Sequence, residues 1–417
     1  MLFPFPPTSD KAVRVVVTGA GVVTPLGVGW QLNADGFRTG RKAFRPVTRF
    51  PISTQRARIA AEVDLPASLP PTRLTARQEH RLDAAARMLL IAAHEAWTQS
   101  GWSGGSDLIP LVLGTTSGGM SLGEAFYRQA SAASPANASV RRQPTRITHY
   151  QPQRQALDLA DAFGFEGPVT IIANACASGA NAVGHAFDLV RSGRASRVLT
   201  GGYDGLSELV FSGFDSLQAL SVTSCRPFDA RRDGLALGEG AAVFCLESLE
   251  SASRRNAEVL CEISGYGSAT DTHHLTQPHP AGDAALQSMN AACAQARVSA
   301  EHIGYINAHG TGTPANDGAE ASAITRWAGA RASSIPVSST KAGIGHLLGA
   351  SGAVEAAVCM MALRGQWLPP ELGIGEPDPA CGFPIVTAPT DASFEYALSN
   401  SFGFGGSNAS LVFRRFA

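Results

Sequence analysis

Three side chains able to handle acyl groups and protons stand at turns built from small residues. Cys176 lies in Ile172-Ala173-Asn174-Ala175-Cys176-Ala177-Ser178-Gly179-Ala180, His309 in Asn307-Ala308-His309-Gly310-Thr311-Gly312-Thr313-Pro314, and His346 in Gly345-His346-Leu347-Leu348-Gly349-Ala350. A thiolate is the nucleophile for acyl transfer, and imidazoles supply hydrogen bonds or protons to a developing oxyanion. Cys176 falls where a β-type run meets a helix whose Val183, Phe187 and Val190 form one apolar stripe. Free N–H groups and the macrodipole at a helix start favour a thiolate, so a lowered thiol pKa is expected there. Taken singly, each residue has a plain structural reading: a small buried thiol, a hydrogen-bonded loop imidazole, and a helix-start histidine packed among small residues. Their recurrence at corresponding turns of a repeated plan argues for one site.

That plan is a duplication of the elements that must hold these turns. Arg14 to Gly21 is similar to Leu260 to Gly267, each an apolar strand-like run expected to end in a glycine turn. A helix follows in each copy, marked by Leu82, Ala86, Leu89, Leu90, Ala93 and Trp97 and then by Ala285, Met289, Ala292, Cys293 and Ala296. Leu111 to Thr116 parallels Tyr305 to Gly310, and Val169 to Ala173 parallels Ile335 to Ser339. Each of the last strands leads into a small-residue helix, near Cys176 in one copy and near His346 in the other. Apolar strands alternating with helices predict an α/β protein with sheets buried on both faces, its halves spanning about 1–255 and 256–417. The Ser-, Ala-, Asn- and Arg-rich segment from Ser131 to Arg146 is expected to be a surface loop or cap. Gly19-Ala20-Gly21 lacks the third glycine of a dinucleotide fingerprint, having Thr24 there and Pro25 next, so a tight turn is the better reading.

Composition narrows the class. A hydrophobic fraction of 44% with 16% charged residues describes a compact globular chain with ample core material. Seven cysteines, at 176, 225, 245, 261, 293, 359 and 381, form no CxxC pair, so neither a disulfide framework nor a zinc site is expected. A net charge of −1 gives no general case for nucleic-acid binding. No run approaches the length of about 18 apolar residues that a membrane span needs. The start, Met1-Leu2-Phe3-Pro4-Phe5-Pro6-Pro7, is unlike a secretory signal, and a cytoplasmic location is expected.

The three motifs above, with Ser339-Thr340-Lys341 ahead of Gly345-His346 and with Asn400-Ser401-Phe402-Gly403-Phe404-Gly405-Gly406-Ser407-Asn408 near the end, together resemble the signatures of β-ketoacyl-acyl carrier protein synthases of the type II elongating class. The resemblance runs in order from about Arg14 to the C-terminus. It implies a thiolase fold, two similar halves in an α-β-α-β-α arrangement, and a Cys-His-His site needing no cofactor and no metal. It further implies decarboxylative condensation of an acyl group on Cys176 with malonyl-acyl carrier protein, His309 and His346 donating to the thioester oxygen. The backbone N–H groups of Cys176 and Phe404 would form the oxyanion hole. Lys341 would orient the histidines and pair with Glu355. Only Lys11, Lys42 and Lys341 among the 33 basic residues are lysine, which suits a need for a compact ammonium. Asp317 and Asn408 would brace the loops carrying His309 and Phe404.

The implied partners are acyl carrier protein, bearing acyl and malonyl phosphopantetheine thioesters, and a second subunit, identical or a chain-length-factor homologue. Thiolases resemble this fold but carry a second active-site cysteine in the C-terminal glycine-rich motif, which is absent here. A non-catalytic chain-length subunit would lack Cys176. Two features point to specialised metabolism as an alternative to fatty-acid elongation: a short Leu220 to Asp229 loop, and Thr116 and Ser117 where elongating synthases carry a bulky aliphatic in the acyl pocket. With Phe402 and Phe404, these two are expected to shape or gate that pocket. Arg73, Arg77 and Arg81 recur every fourth residue near a helix start and predict one basic docking face for the carrier.

Overall fold

The computed structural model describes residues 13–102, 108–132 and 145–416. Ten strands of the main sheet are numbered along the chain: β1 Val15–Thr24, β2 Leu111–Gly114, β3 Val169–Ile172, β4 Arg197–Asp204, β5 Gly240–Ser248, β6 Cys261–Thr270, β7 Ile303–Asn307, β8 Val337–Ser338, β9 Tyr396–Phe402 and β10 Ser407–Arg414. Six helices pack on them: α1 Ala84–Ser100, α2 Gln153–Phe163, α3 Ser178–Arg191, α4 Asp283–Ala296, α5 Pro314–Ala328 and α6 Ser351–Gly365.

The spatial order is β3-β2-β4-β5-β1 followed by β6-β10-β9-β7-β8, so the second half repeats the first as its mirror order. In each half the two outer pairings are parallel and the two inner ones antiparallel. The half-sheets join where Val15–Val17 of β1 pairs antiparallel with Cys261–Ile263 of β6.

Three cores make five layers. Helices α1 and α2 cover one face of the first half-sheet, α4 and α5 cover the far face of the second, and α3 with α6 fill the space between. Period-two alternation sorts the strands between them: Ala242, Phe244 and Leu246 of β5 face the central helices, and Ala241, Val243 and Cys245 face α1. Helix α6 is buried from Ser351 to Leu363, so it reads as nearly all apolar or small rather than amphipathic.

One expectation is corrected here. Gly19 and Gly21 do not end a strand, because β1 runs through them to Thr24. A Cβ on Gly19 would lie 2.0 Å from Ala96 O, and one on Gly21 1.9 Å from Ala92 O, so these glycines let α1 lie directly on the strand. Gly265 and Gly267 of β6 do the same for α4, with imagined Cβ atoms 2.1 Å from Ala292 O and 2.2 Å from Ser288 O. The repeated Gly-x-Gly is a packing device used twice. The centre of the predicted cap, 133–144, lies outside the described residues; helices Met120–Ala132 and Thr145–Tyr150 flank it.

Candidate active site

The chain enters the nucleophile turn from β3. Ala175–Ala177 form a 3-10 turn ahead of α3, and Ala175 takes φ 57°, a left-handed conformation uncommon for a residue with a Cβ. Two hydroxyls secure it: Ser178 Oγ donates to Ala175 O at 2.6 Å and Thr116 Oγ1 at 3.0 Å. In the second half β7 delivers His309. Its backbone N–H and that of Gly310 each donate to the buried Glu320 carboxylate at 2.8 Å. After β8 come a helical turn Lys341–Ile344, then His346, then the 3-10 turn Leu348–Ala350 leading into α6.

These turns bring Cys176 Sγ and a ring nitrogen of each histidine within 4.8 Å of one another. All three side chains are buried, and the imidazoles meet edge-on with centroids 5.4 Å apart. Lys341 uses its three N–H donors on His309 O, on His309 Nδ1 at 3.4 Å and on Glu355. A donor at Nδ1 makes that atom the acceptor and leaves the proton of neutral His309 on Nε2. His346 Nδ1 lies 2.7 Å from Ser351 Oγ, which already accepts from Leu347 N. With the Ser351 hydroxyl donating to Nδ1, His346 also carries its proton on Nε2. That nitrogen is buried and, among the described residues, has no hydrogen-bond partner.

Burial, reinforced by Lys341, holds both histidines well below their ordinary pKa, hence neutral. The expectation of a lowered Cys176 pKa is corrected. Burial pushes the thiol up to about 11, against which Lys341 and the Phe404 N–H pull it down and Asp204 pushes it further up. The helix start does not outweigh desolvation because the sulfur has almost no contact with water. Burial likewise pushes Cys225, Cys245, Cys293 and Cys381 up to about 12.

The backbone N–H groups of Cys176 and Phe404 both bear on the sulfur. Gly403 permits this approach, since a Cβ there would meet Cys176 N at 3.2 Å. A cavity of about 300 Å³ opens in front of Cys176, His309 and His346. Phe214, Leu217, Leu275 and Phe404 give it an apolar wall, and Thr313 and Asn316 a polar one. Phe404 is exposed at its mouth and stacks on Phe214 at 5.7 Å, whereas Phe402 is buried at the end of β9 with its ring 5.7 Å from His309.

Asp317 accepts from Thr311 N, Gly312 N and Phe228 N, tying the His309 loop to the 228 region. Asn408 stands opposite Phe402 in the β9–β10 pair and lines the cavity. Thr116 and Ser117 do not line this cavity. The Ser117 side chain turns to Asp204, its hydroxyl donating at 2.7 Å. The helix near the predicted docking arginines spans only Ala76–Glu79, so Arg77 lies within it, Arg73 precedes it and Arg81 follows it. The Arg73 guanidinium packs against Gly164 at the end of α2.

Sequence reasoning missed Glu320, Asp204 and the cavity residues Phe214 and Leu275. The Asn307-to-Pro314 motif hinted at a turn whose amides need an acceptor, but nothing local names Glu320. The ligand atoms of Cys176, His309 and His346 are close enough for a soft cation, yet the Lys341 ammonium beside His309 opposes a second positive charge there.

Such a duplicated five-layer α/β fold with a Cys-His-His centre defines a condensing enzyme of the thiolase type. Residues 12–252 match the beta-ketoacyl synthase N-terminal domain and residues 260–375 the C-terminal domain, and the chain belongs to the beta-ketoacyl synthase family. It is 37% identical over 415 residues to 3-oxoacyl-[acyl-carrier-protein] synthase 2 of Synechocystis sp., covering 97% of this chain and 98% of that one. It is also 37% identical to a putative polyketide beta-ketoacyl synthase 1 of Streptomyces cyaneus, covering 96% and 97% of the two chains. Among solved structures it is similar to the ishigamide ketosynthase/chain length factor, with a TM-score of 0.91 and 31% identity over 98% of this chain and 100% of that one. It is likewise similar to the AntDE:AntF complex, a type II polyketide acyl-carrier protein with its ketosynthase bound to the hexaketide. There the TM-score is 0.87 and the identity 26%, over 97% and 100% of the chains.

Proposed function

We propose that this chain catalyses decarboxylative condensation between an acyl group on Cys176 and malonyl-acyl carrier protein, giving a carrier-bound β-ketoacyl thioester. The observation that carries this reading is the convergence of Cys176, His309 and His346 within 4.8 Å in a member of this family. Cys176 Sγ attacks the acyl thioester carbonyl, the carrier thiol departs, and the proton lost by one thiol balances the proton gained by the other. The Cys176 and Phe404 N–H groups hold the tetrahedral oxyanion, a contact of about 3–4 kcal/mol per donor in other enzymes. Malonyl-carrier then brings its thioester oxygen to the Nε2–H groups of His309 and His346. As carbon dioxide leaves, the electron pair passes to the α-carbon of an enolate stabilised by those two donors. That carbon attacks the Cys176 thioester, and the thiolate is the leaving group.

Lys341 keeps both histidines neutral and orients His309, and Glu355 balances its charge. The division at about residue 255 separates a half supplying the nucleophile from one supplying the two histidines that hold the enolate. Homologues of the fatty-acid synthase type and the lack of any helix long and apolar enough to cross a membrane among the described residues support work in the cytoplasm. Mass spectrometry of carrier-bound products after incubation with acyl- and malonyl-carrier protein tests the reading. A product two carbons longer is expected in the wild type and none with Cys176→Ala.

The ishigamide likeness favours a second reading, the catalytic subunit of a ketosynthase/chain-length-factor pair. Elongation that appears only after addition of a cysteine-less homologue would establish it over a self-sufficient enzyme.

A further inference from the structure

Asp204, the last residue of β4, is a fully buried carboxylate that the condensation chemistry above does not use. Its Oδ1 accepts from Thr115 Oγ1 at 2.8 Å, Ser117 N at 2.9 Å and Ser117 Oγ at 2.7 Å. Its Oδ2 accepts from Thr116 N at 2.7 Å and Gly349 N at 2.6 Å. All five partners are uncharged donors. Buried charge normally demands a cation or neutralisation, so so complete a set of donors marks a group whose position matters.

The five donors belong to two turns. Thr115–Ser117 follows β2 in the first half, and Thr116 Oγ1 continues to Ala175 O, the left-handed residue that sets the direction of Cys176. Gly349 lies three residues after His346 in the second half. The fit is tight: a Cβ on Gly349 would lie 2.4 Å from Thr116 N and 2.7 Å from Asp204 Oδ2.

We propose that Asp204 is a positioning residue for condensation, one buried carboxylate clamping the turn beneath the nucleophile to the turn that follows the second histidine. The inference rests on the reading of Cys176 as the acyl-accepting group. Its negative charge acts on Cys176 together with Lys341, His309 and His346, which face the same thiol, and it opposes ionisation of the sulfur.

Two variants separate the charge from the tether. Asp204→Asn removes the charge and turns one acceptor into a donor facing N–H groups. Thr116→Val keeps the carboxylate and its backbone contacts but cuts the link to Ala175. Cys176 alkylation by iodoacetamide, followed across pH by mass mapping, needs no substrate and reports the thiol directly. Asp204→Asn should move that profile to lower pH while lowering condensation kcat about 10- to 100-fold, more than it changes KM for malonyl-carrier. Thr116→Val should leave the alkylation profile in place and lower condensation about 10-fold. If Asp204→Asn does not fold, the Thr116→Val result decides. An unchanged condensation rate in folded Thr116→Val, or losses in both variants that merely track the melted fraction, overturns the proposal. Failure of the underlying reading looks different, because wild-type enzyme would then form no acyl-Cys176 at all.

Discussion

The two halves share strand order, helix placement and even the Gly-x-Gly packing device, yet matching turns carry different work. The turn after β2 is structural, with Thr115 Oγ1, Thr116 N and both Ser117 donors on Asp204 and Thr116 Oγ1 on Ala175 O, whereas the turn after β7 carries His309 and is held by Glu320 and Asp317. The turn after β3 carries the nucleophile, and the turn after β8 carries Lys341 and His346. Duplication thus supplies four equivalent turns aimed at one place, and specialisation puts the nucleophile on one side and both imidazoles on the other. A buried acid stands behind the turn in each half, so the charges that steer the site come from the scaffold.

The sharpest way to break this division of labour is to remove one side at a time. Cys176→Ala should abolish the acyl adduct and reduce condensation by about 10⁴-fold or more, measured by intact mass and product formation. His309→Ala or His346→Ala should cut condensation about 10²- to 10³-fold while acyl-Cys176 still forms. Equal loss of both half-reactions in a folded histidine variant would show that the imidazoles also serve the transfer step.

Next in size is the ion pair that belongs to the second half alone. Lys341 and Glu355 are both buried, so Lys341→Met strands a carboxyl and should cost about 3–5 kcal/mol in denaturant unfolding. Adding Glu355→Leu should recover most of that stability without recovering condensation, since His309 Nδ1 would still lack its donor. Recovery of both would make the pair purely structural.

What the chain reveals before folding follows the same line. The strand correspondences, the helix phases and the three reactive side chains are legible because each depends on local periodicity or on a motif of neighbouring residues. Glu320 and Asp204 are not, because their donors lie up to 80 and up to 145 residues away and nothing local announces a buried acceptor. The Cys176 pKa failed for a related reason: the helix start is a local feature, but the desolvation that overrides it is set by residues from both halves. At Arg73, Arg77 and Arg81 the reverse holds, a period that extends beyond a helix only one turn long. Gly19 and Gly21 were seen as turn formers because their partners, Ala96 O and Ala92 O, belong to a helix more than 70 residues on.

Those glycines allow a test of how alike the halves are. Gly19→Ala and Gly265→Ala each drive a methyl into a helix carbonyl, at 2.0 and 2.1 Å, and should each cost about 1–3 kcal/mol by denaturant unfolding. Similar losses would show that the two helix–strand seams bear equal load. A loss confined to one would mean that α1 and α4 can retreat to different degrees.

The smallest expected difference is in pH dependence. Burial raises one carboxyl in each half to about 7: Asp83, whose side chain caps α1 at Ala86 N, and Glu320 behind His309. A carboxyl whose folded pKa lies above its unfolded value binds its proton more tightly when folded. Its stabilising contribution is therefore full below the unfolded pKa and is lost as pH rises through about 7. For Glu320, with an ordinary value of 4.5, the window at about 1.4 kcal/mol per pH unit amounts to a change on the order of 3 kcal/mol. His309 and His346 work in the opposite direction. Their folded pKa values are depressed, so their contribution is present above about 6.5 and is lost as pH falls. The wild-type curve between pH 5 and 8 mixes both signs, and only a difference between proteins isolates the carboxyl. Glu320→Gln should lower stability by about 1–3 kcal/mol at pH 5, because one of the His309 and Gly310 N–H groups loses its acceptor. That deficit should shrink as pH rises to 8, where the wild type has given up its proton-linked stabilisation. Asp83→Asn should show the same convergence in stability, measured by the same denaturant unfolding between pH 5 and 8. A deficit that stays constant from pH 5 to 8 in Glu320→Gln would mean that Glu320 is ionised throughout, its charge held by its N–H donors rather than expelled by burial.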